Sequence, residues 1–120
     1  MKRLVLILNA VIVGIAIVAT SAKAETIAPS NTQKYVGKSV TVEGNVSEVH
    51  HAASGKVTFI DMGGRYPNNT FAGVIFSDDA AKFPDVDSLD SKTVDITGTI
   101  KLYQGRTEII LNDPAQIKTK

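Results

Sequence analysis

Lys92-Thr93-Val94-Asp95-Ile96-Thr97-Gly98-Thr99-Ile100 repeats, position by position, the chemistry of Lys38-Ser39-Val40-Thr41-Val42-Glu43-Gly44-Asn45-Val46. Each copy reads Lys, small hydroxyl, Val, polar, β-branched, polar, Gly, polar, β-branched. Apolar and polar residues alternate strictly, so each copy is a strand with one buried face. The glycine falls on the buried side in both copies, which marks a bend or a close backbone approach, as where a strand curls around a small barrel. Two copies are too few for a solenoid. They read instead as two neighbouring strands under one geometric constraint.

Working outward, the first strand runs from about Lys38 to His51. Its phase changes at Ser47-Glu48, where one extra residue is inserted and Val49 joins the apolar set, a bulge signature. A long strand with a glycine and a bulge can serve two sheets. Ala52-Ala53-Ser54-Gly55 is a turn and Lys56–Met62 the second strand. Gly63–Thr70 is a loop dense in turn formers, and Phe71–Phe76 the third strand. Ser77–Lys82 forms one capped helical turn closed by Phe83-Pro84. Asp85–Ser91 is an acidic connection with Val86 and Leu89 dipping into the core. Lys92–Tyr103 is the fourth strand, Gln104-Gly105 a tight hairpin, and Arg106–Leu111 the fifth. Asn112-Asp113-Pro114 ends it, and Ala115–Ile117 adds a last extended contact. Upstream, Ser30 as N-cap and Gln33 predict a capping box opening a short helix over 31–36, with Gly37 as C-cap and Tyr35 and Val36 plugging the barrel end. The predicted core is Val40, Val42, Val46, Phe59, Val74, Phe76, Val94, Ile96, Ile100, Ile109 and Leu111.

The N-terminus has a different character. Lys2 and Arg3 precede an apolar run from Leu4 to Ala19, and Ala22-Lys23-Ala24 is a small-x-small cleavage site. This is the pattern of a secretory signal peptide, 1–24, followed by a tether at 25–29 and one domain over 30–120. The run is also long enough for an uncleaved anchor. Cleavage removes Lys2, Arg3 and Lys23 but no acid, so 13 basic residues become 10 against an unchanged 12 acidic, a net charge of −2. The sequence pI of about 8.0 belongs to the uncut chain. A mildly acidic protein is poorly suited to tight, unspecific nucleic-acid binding, which depends on phosphate neutralisation. Export to the periplasm or medium permits disulfides, yet the chain has no cysteine. A domain of about 80 ordered residues must then stand on its core alone, and a closed sheet suits it because closure leaves no exposed edge. A monomer free of the membrane after cleavage is expected.

Five strands, a short helical connection between the third and fourth, and a bulged, glycine-containing first strand describe an all-β, five-stranded Greek-key OB-fold barrel with a short N-terminal helix. The sequence also resembles a group of small bacterial proteins and domains with an OB-fold of the nucleic-acid-binding type. The likeness rests on Tyr35-Val36-Gly37-Lys38 leading into Val40–Gly44, on Phe59-Ile60-Asp61 with Gly64 and Tyr66-Pro67, and on Val74-Ile75-Phe76. It continues through Val94–Gly98, Tyr103–Leu111, Pro114 and Gln116-Ile117. It covers nearly all of 30–117. The exported OB-fold proteins of bacterial stress-induced type are a second group to which the chain is similar.

An OB-fold ligand surface is the face of the second and third strands, flanked by the loops joining strands one to two and four to five. That geometry gathers His50, His51 and Lys56, then Arg65 and Tyr66, then Lys101, Tyr103 and Arg106. Aromatic rings stack on bases or sugars while basic groups track phosphates. Lys56, Arg65, Tyr66, Lys101, Tyr103 and Arg106 are the candidate binding residues. His50-His51 does not read as a metal motif, because adjacent strand residues face opposite ways and no other His or Cys is available. Asp85–Asp90 fails the calcium-loop pattern, with Leu89 and Asp90 where an oxygen ligand and Gly belong. Thermonuclease-type nucleases share the barrel, and Asp61, Arg106 and Glu108 offer matching chemistry. Simpler roles suffice for them: a cross-strand pair of Arg106 with Glu108, and a turn former at Asp61. Asn68-Asn69-Thr70 is a loop tip. No phosphate loop, nucleophile elbow or dinucleotide fingerprint is present. The expectation is a non-catalytic module without cofactor or metal that binds single-stranded nucleic acid or an oligonucleotide. The alternative is a periplasmic envelope adaptor for a saccharide or protein partner.

Overall fold

The computed structural model describes residues 24–120. The expected leader lies outside the described residues but for Ala24. Among the described residues eight strands form one sheet: β1 Thr26–Ile27, β2 Ser39–His51, β3 Val57–Met62, β4 Phe71–Phe76, β5 Thr93–Thr99, β6 Lys101–Tyr103, β7 Arg106–Ile110 and β8 Ile117–Thr119. Pairing runs β6-β7-β4-β3-β2-β5-β8, with β1 alongside β2. The two repeated segments are neighbours, as their shared pattern requires. They pair antiparallel, so Gly44 lies across from Val94 and Gly98 across from Val40. Each glycine of one copy therefore faces the first valine of the other.

The glycines mark close approaches. A Cβ on Gly98 would meet Ile109 Cγ2 at 2.5 Å, and one on Gly44 would meet Pro29 Cγ at 2.7 Å. These contacts let the helical segment cross one copy and β7 pack on the other. β2 serves both halves of the barrel: Ser39–Asn45 pair with β5, and Val46–His51 pair with β3. β7 runs parallel to β4, and β6 pairs antiparallel with β7. Since β6 continues β5 through the buried Ile100, the path closes on itself. The result is the OB-fold barrel, with the expected fourth strand broken at Ile100 and short strands β1 and β8 added at the termini.

Several local expectations change. Residues 25–29, read as a tether, carry β1, and Ile27 joins the core. The N-terminal helix is a 3-10 segment over Pro29–Tyr35 whose N-cap is Ala28, without a side-chain cap bond. Pro29 starts it because a proline fits the first helical position, where its missing N–H costs nothing. The Ser30–Gln33 capping box is therefore absent. Tyr35 packs on the core, whereas Val36 is exposed. Ser77–Lys82 and Val86–Leu89 are 3-10 turns, with Val86 and Leu89 against the core as expected. Phe59 is only half-buried and Phe76 is 42% exposed, so neither belongs to the core; Ile60, Met62, Phe71 and Ile75 do. A capping box does occur, at Asp113 and Gln116. Gln116 accepts from the Asn112 and Asp113 amides and donates to the Thr97 and Ile110 carbonyls, tying the C-terminus to β5 and β7. Among the described residues no helix is long and apolar enough to cross a membrane.

Candidate functional site

The bulge in β2 determines what faces the outer surface of β3. Val46 pairs with Met62, and the next aligned residue is Glu48, opposite Asp61. Ser47 is the extra residue. Strict alternation from Val46 would send Glu48 and His50 inward. The insertion resets the phase, so Val49 turns to the core side across from Ile60, while Glu48 and His50 face out with Asp61 and Phe59. His50 lies directly across from Phe59, and their rings stack at 5.2 Å between centroids with 22° between planes.

Around this stack lies a cleft of about 270 Å³ between the end of β2, β3, the 63–70 loop and the β6–β7 hairpin. Tyr66 leans on His50 at 5.1 Å. The Arg106 guanidinium covers the Tyr66 ring at 5.0 Å and donates to the Pro67 carbonyl at 3.0 Å. Tyr103 closes the hairpin side. It and Tyr66 are 61% and 54% exposed, a large outlay of aromatic surface for so small a domain. Gln104 and Gly105 hold the hairpin with positive φ at both positions. Such a turn matches the twist of the flanking strands and fixes Tyr103 across from Arg106.

The cleft floor is acidic. The Asp61 side chain is 1% exposed, and Asn69 donates to its Oδ1 at 3.3 Å. Its Oδ2 has no hydrogen-bond partner and lies 3.6 Å from His50 Nδ1, which is likewise unpartnered. Burial pushes the Asp61 carboxyl up to about 6, with Glu48 adding to the shift and His50 and Arg106 opposing it. Burial also raises Glu108, which Lys101 opposes from across the hairpin. Asp61 is thus a buried strand residue, not a turn former. Asn69, expected at a loop tip, is 7% exposed beneath the loop. Arg106 bonds the Pro67 carbonyl, and Glu108 pairs across with Lys101, so the expected Arg106–Glu108 cross-strand pair is not how these residues are used.

Of the candidates read from sequence, Tyr66, Tyr103 and Arg106 line one cleft. Arg65 does not line it and instead pairs with Glu48 at 3.4 Å. Lys101 borders an adjoining apolar groove with Val57, Phe76 and Leu102, which shares Phe59 and Tyr103 with the cleft. Lys56 lines neither. His51 turns away from His50, and its Nε2 meets Asp87 at 2.6 Å. His50, gathered at this surface but left out of the binding set, lines the cleft, and so do Asp61, weighed only for nuclease chemistry, and Phe59 and Asn69, to which no binding role is given. For His50, Phe59 and Asp61 the signal is the bulge, which puts them on the outer face once its phase is carried through to His50; Asn69, in the loop, has no such signal. A larger hollow of about 420 Å³ lies along β2, β5 and β8 among Thr41, Asp95, Thr97 and Lys118; it holds no aromatic side chain. Stacking surface and an arginine distinguish the smaller cleft.

No protein-family model matches the sequence, and no curated protein matches it. Solved structures do resemble the fold. A protein assigned as an aspartyl-tRNA synthetase from Leishmania major Friedlin superposes with a TM-score of 0.54 at 15% identity over 89% of this chain. The asparaginyl-tRNA synthetase of Entamoeba histolytica, in complex with asparaginyl-adenylate, does so at 0.53 and 18% identity over 81%. This chain spans only 22% and 24% of those two proteins. The OBody AM1L10, seen bound to hen egg-white lysozyme, matches at 0.58 and 19% identity, covering 84% of this chain and 98% of its own. At such identities the likeness is one of fold.

Proposed function

We propose that this protein is a non-catalytic OB-fold module that binds single-stranded nucleic acid in the cleft between β3, the 63–70 loop and the β6–β7 hairpin. The observation that carries the proposal is the graded stack of Phe59, His50 and Tyr66 capped by Arg106. Exposed rings next to a guanidinium suit unstacked bases joined by phosphates, and stacking tolerates any base. The synthetases that share the fold act on tRNA by name, which is consistent with this reading. The chain is proposed to act after export, its leader removed.

Asp61 and Glu108 favour a second reading. Carboxylates among aromatic rings also suit the hydroxyl groups and flat faces of a neutral saccharide. Nuclear magnetic resonance distinguishes the two. Adding a short oligothymidylate should shift the resonances of His50, Phe59, Tyr66 and Tyr103 and leave those near Thr97 and Lys118 unmoved, with the oligonucleotide still intact afterwards. Shifts confined to other surfaces, or seen with neutral oligosaccharides alone, contradict the nucleic-acid reading.

A further inference from the structure

Glu48, His50 and Asp61 each offer one ligand atom, and the three atoms lie within 4.8 Å of one another. We propose that they form a binding site for a divalent transition metal of the zinc type, with one position left open toward the cleft.

The register builds the set. Glu48 and His50 are two apart on β2 and share a face, and Asp61 is the cross-strand partner of Glu48. All three therefore converge from two adjacent strands of a rigid barrel. The deepest of them is only half satisfied. Asp61 is buried, its Oδ2 lacks a partner, and so does the inaccessible Nδ1 of His50 facing it. A buried carboxylate oxygen left without a donor is costly. Their 3.6 Å separation is too long for a hydrogen bond. It is close to the edge of a tetrahedron whose metal–ligand bonds are about 2.1 Å, which is about 3.4 Å. A cation between them satisfies both atoms at once.

The surroundings fit that assignment. Asn69 holds Asp61 Oδ1 and so leaves Oδ2 free to ligate, and the stack against Phe59 fixes the imidazole plane. Such outer contacts orient ligands in known sites. One imidazole and two carboxylates, without thiolate, select an N/O-preferring divalent ion over a copper(I) or iron–sulfur centre. Glu48 is the adjustable member, since at 22% exposure it also reaches Arg65. The three side chains form this cluster without a nucleic-acid ligand.

The test is titration of the protein with zinc chloride by calorimetry, followed by cobalt(II) as a spectroscopic substitute. One zinc per chain is expected, with cobalt giving the intense visible absorption of a tetrahedral site. The chain has two histidines, so the ring nitrogen resonances are simply assigned. His50 Nδ1 should shift on zinc addition and the His51 ring should not. Asp61→Asn and His50→Ala should each weaken uptake at least about 100-fold, while His51→Ala leaves it unchanged. Asp61→Asn keeps the shape of the residue and removes a buried charge, so its fold is checked by thermal melting. No stoichiometric uptake of zinc or cobalt, or uptake undiminished in a folded Asp61→Asn variant, overturns the proposal.

Discussion

Glu48 lies directly across from Asp61 on the neighbouring strand because Ser47 is bulged out of β2. That single insertion turns a strand whose first half is an ordinary alternating barrel wall into one whose second half presents Glu48 and His50 outward. It also places His50 over Phe59, which begins the aromatic stack. The cleft and the cation site therefore have one origin, in the backbone. The core is unaffected, because Val49 takes up the inward side after the bulge.

The buried Asp61 predicts how metal-free protein responds to pH. Its folded value, about 6, lies above the ordinary 3.8, so the folded state holds the proton more tightly than the unfolded chain. Stability then falls as pH rises from about 4 to about 6 and levels off above, by up to about 3 kcal/mol. In the presence of a chelator, Asp61→Asn should remove this part of the pH dependence and melt higher than the parent at pH 7.5. Melting curves at pH 4 and pH 7.5 decide it. A variant less stable than the parent at the higher pH would mean that His50 fully compensates the buried charge.

Gly98 predicts a steric cost. A methyl group there meets Ile109 Cγ2 at 2.5 Å, inside a core where Ile109 is fully buried. Gly98→Ala should lower stability by about 2 kcal/mol, or roughly 10 °C in melting temperature for a domain of this size. An unchanged melting temperature would show that β7 can move away freely.

The C-terminal segment depends on Gln116, whose amide makes four hydrogen bonds. Gln116→Ala should cost about 2 kcal/mol by leaving the Thr97 and Ile110 carbonyls short of a donor. Gln116→Glu should cost more at neutral pH. It keeps the acceptor for the two amides but sets a carboxylate oxygen against both carbonyls. Denaturant unfolding of the two variants gives the order.

Much of the fold was legible because the barrel repeats simple rules. The duplicated Val-x-β-branched-x-Gly pattern marked two adjacent strands, and the phase change at Val49 marked the bulge. The ends of β4 were also readable. The misplaced residues share a cause: in Val57–Met62 and Phe71–Phe76 both faces are largely apolar, so alternation does not say which face is inner. Alternation alone therefore lets Phe59 read as inward. Asp61, two residues on, shares its face and marks it as the outer one, but nothing in the sequence tells that this carboxylate is buried. The cleft was half legible. Loop and hairpin position place Tyr66, Tyr103 and Arg106 correctly, whereas Lys56, Arg65 and Lys101, placed by the same geometry, do not line it. The Ser30 capping box lost to Pro29, which fits the first helical turn better than a serine cap one residue later.

Within the cleft, the two halves of the recognition surface should separate by kind. Tyr66→Ala removes a stacking platform worth about 1–3 kcal/mol per base, so affinity for an oligonucleotide should drop about 5- to 150-fold at every salt concentration. Arg106→Lys keeps the charge but loses the planar cover over Tyr66, so it should retain the salt dependence while weakening binding. If Arg106→Lys abolished the salt dependence and Tyr66→Ala did nothing, the assignment of roles would be reversed.

The most direct measurement is fluorescence anisotropy of a labelled single-stranded oligonucleotide titrated with the protein at 50 and 200 mM salt. With two phosphates neutralised, affinity should fall about sevenfold between these concentrations, and Arg106→Ala should flatten that slope. An absence of binding at the lower salt, where attraction to phosphate is strongest, would contradict nucleic-acid recognition in this cleft.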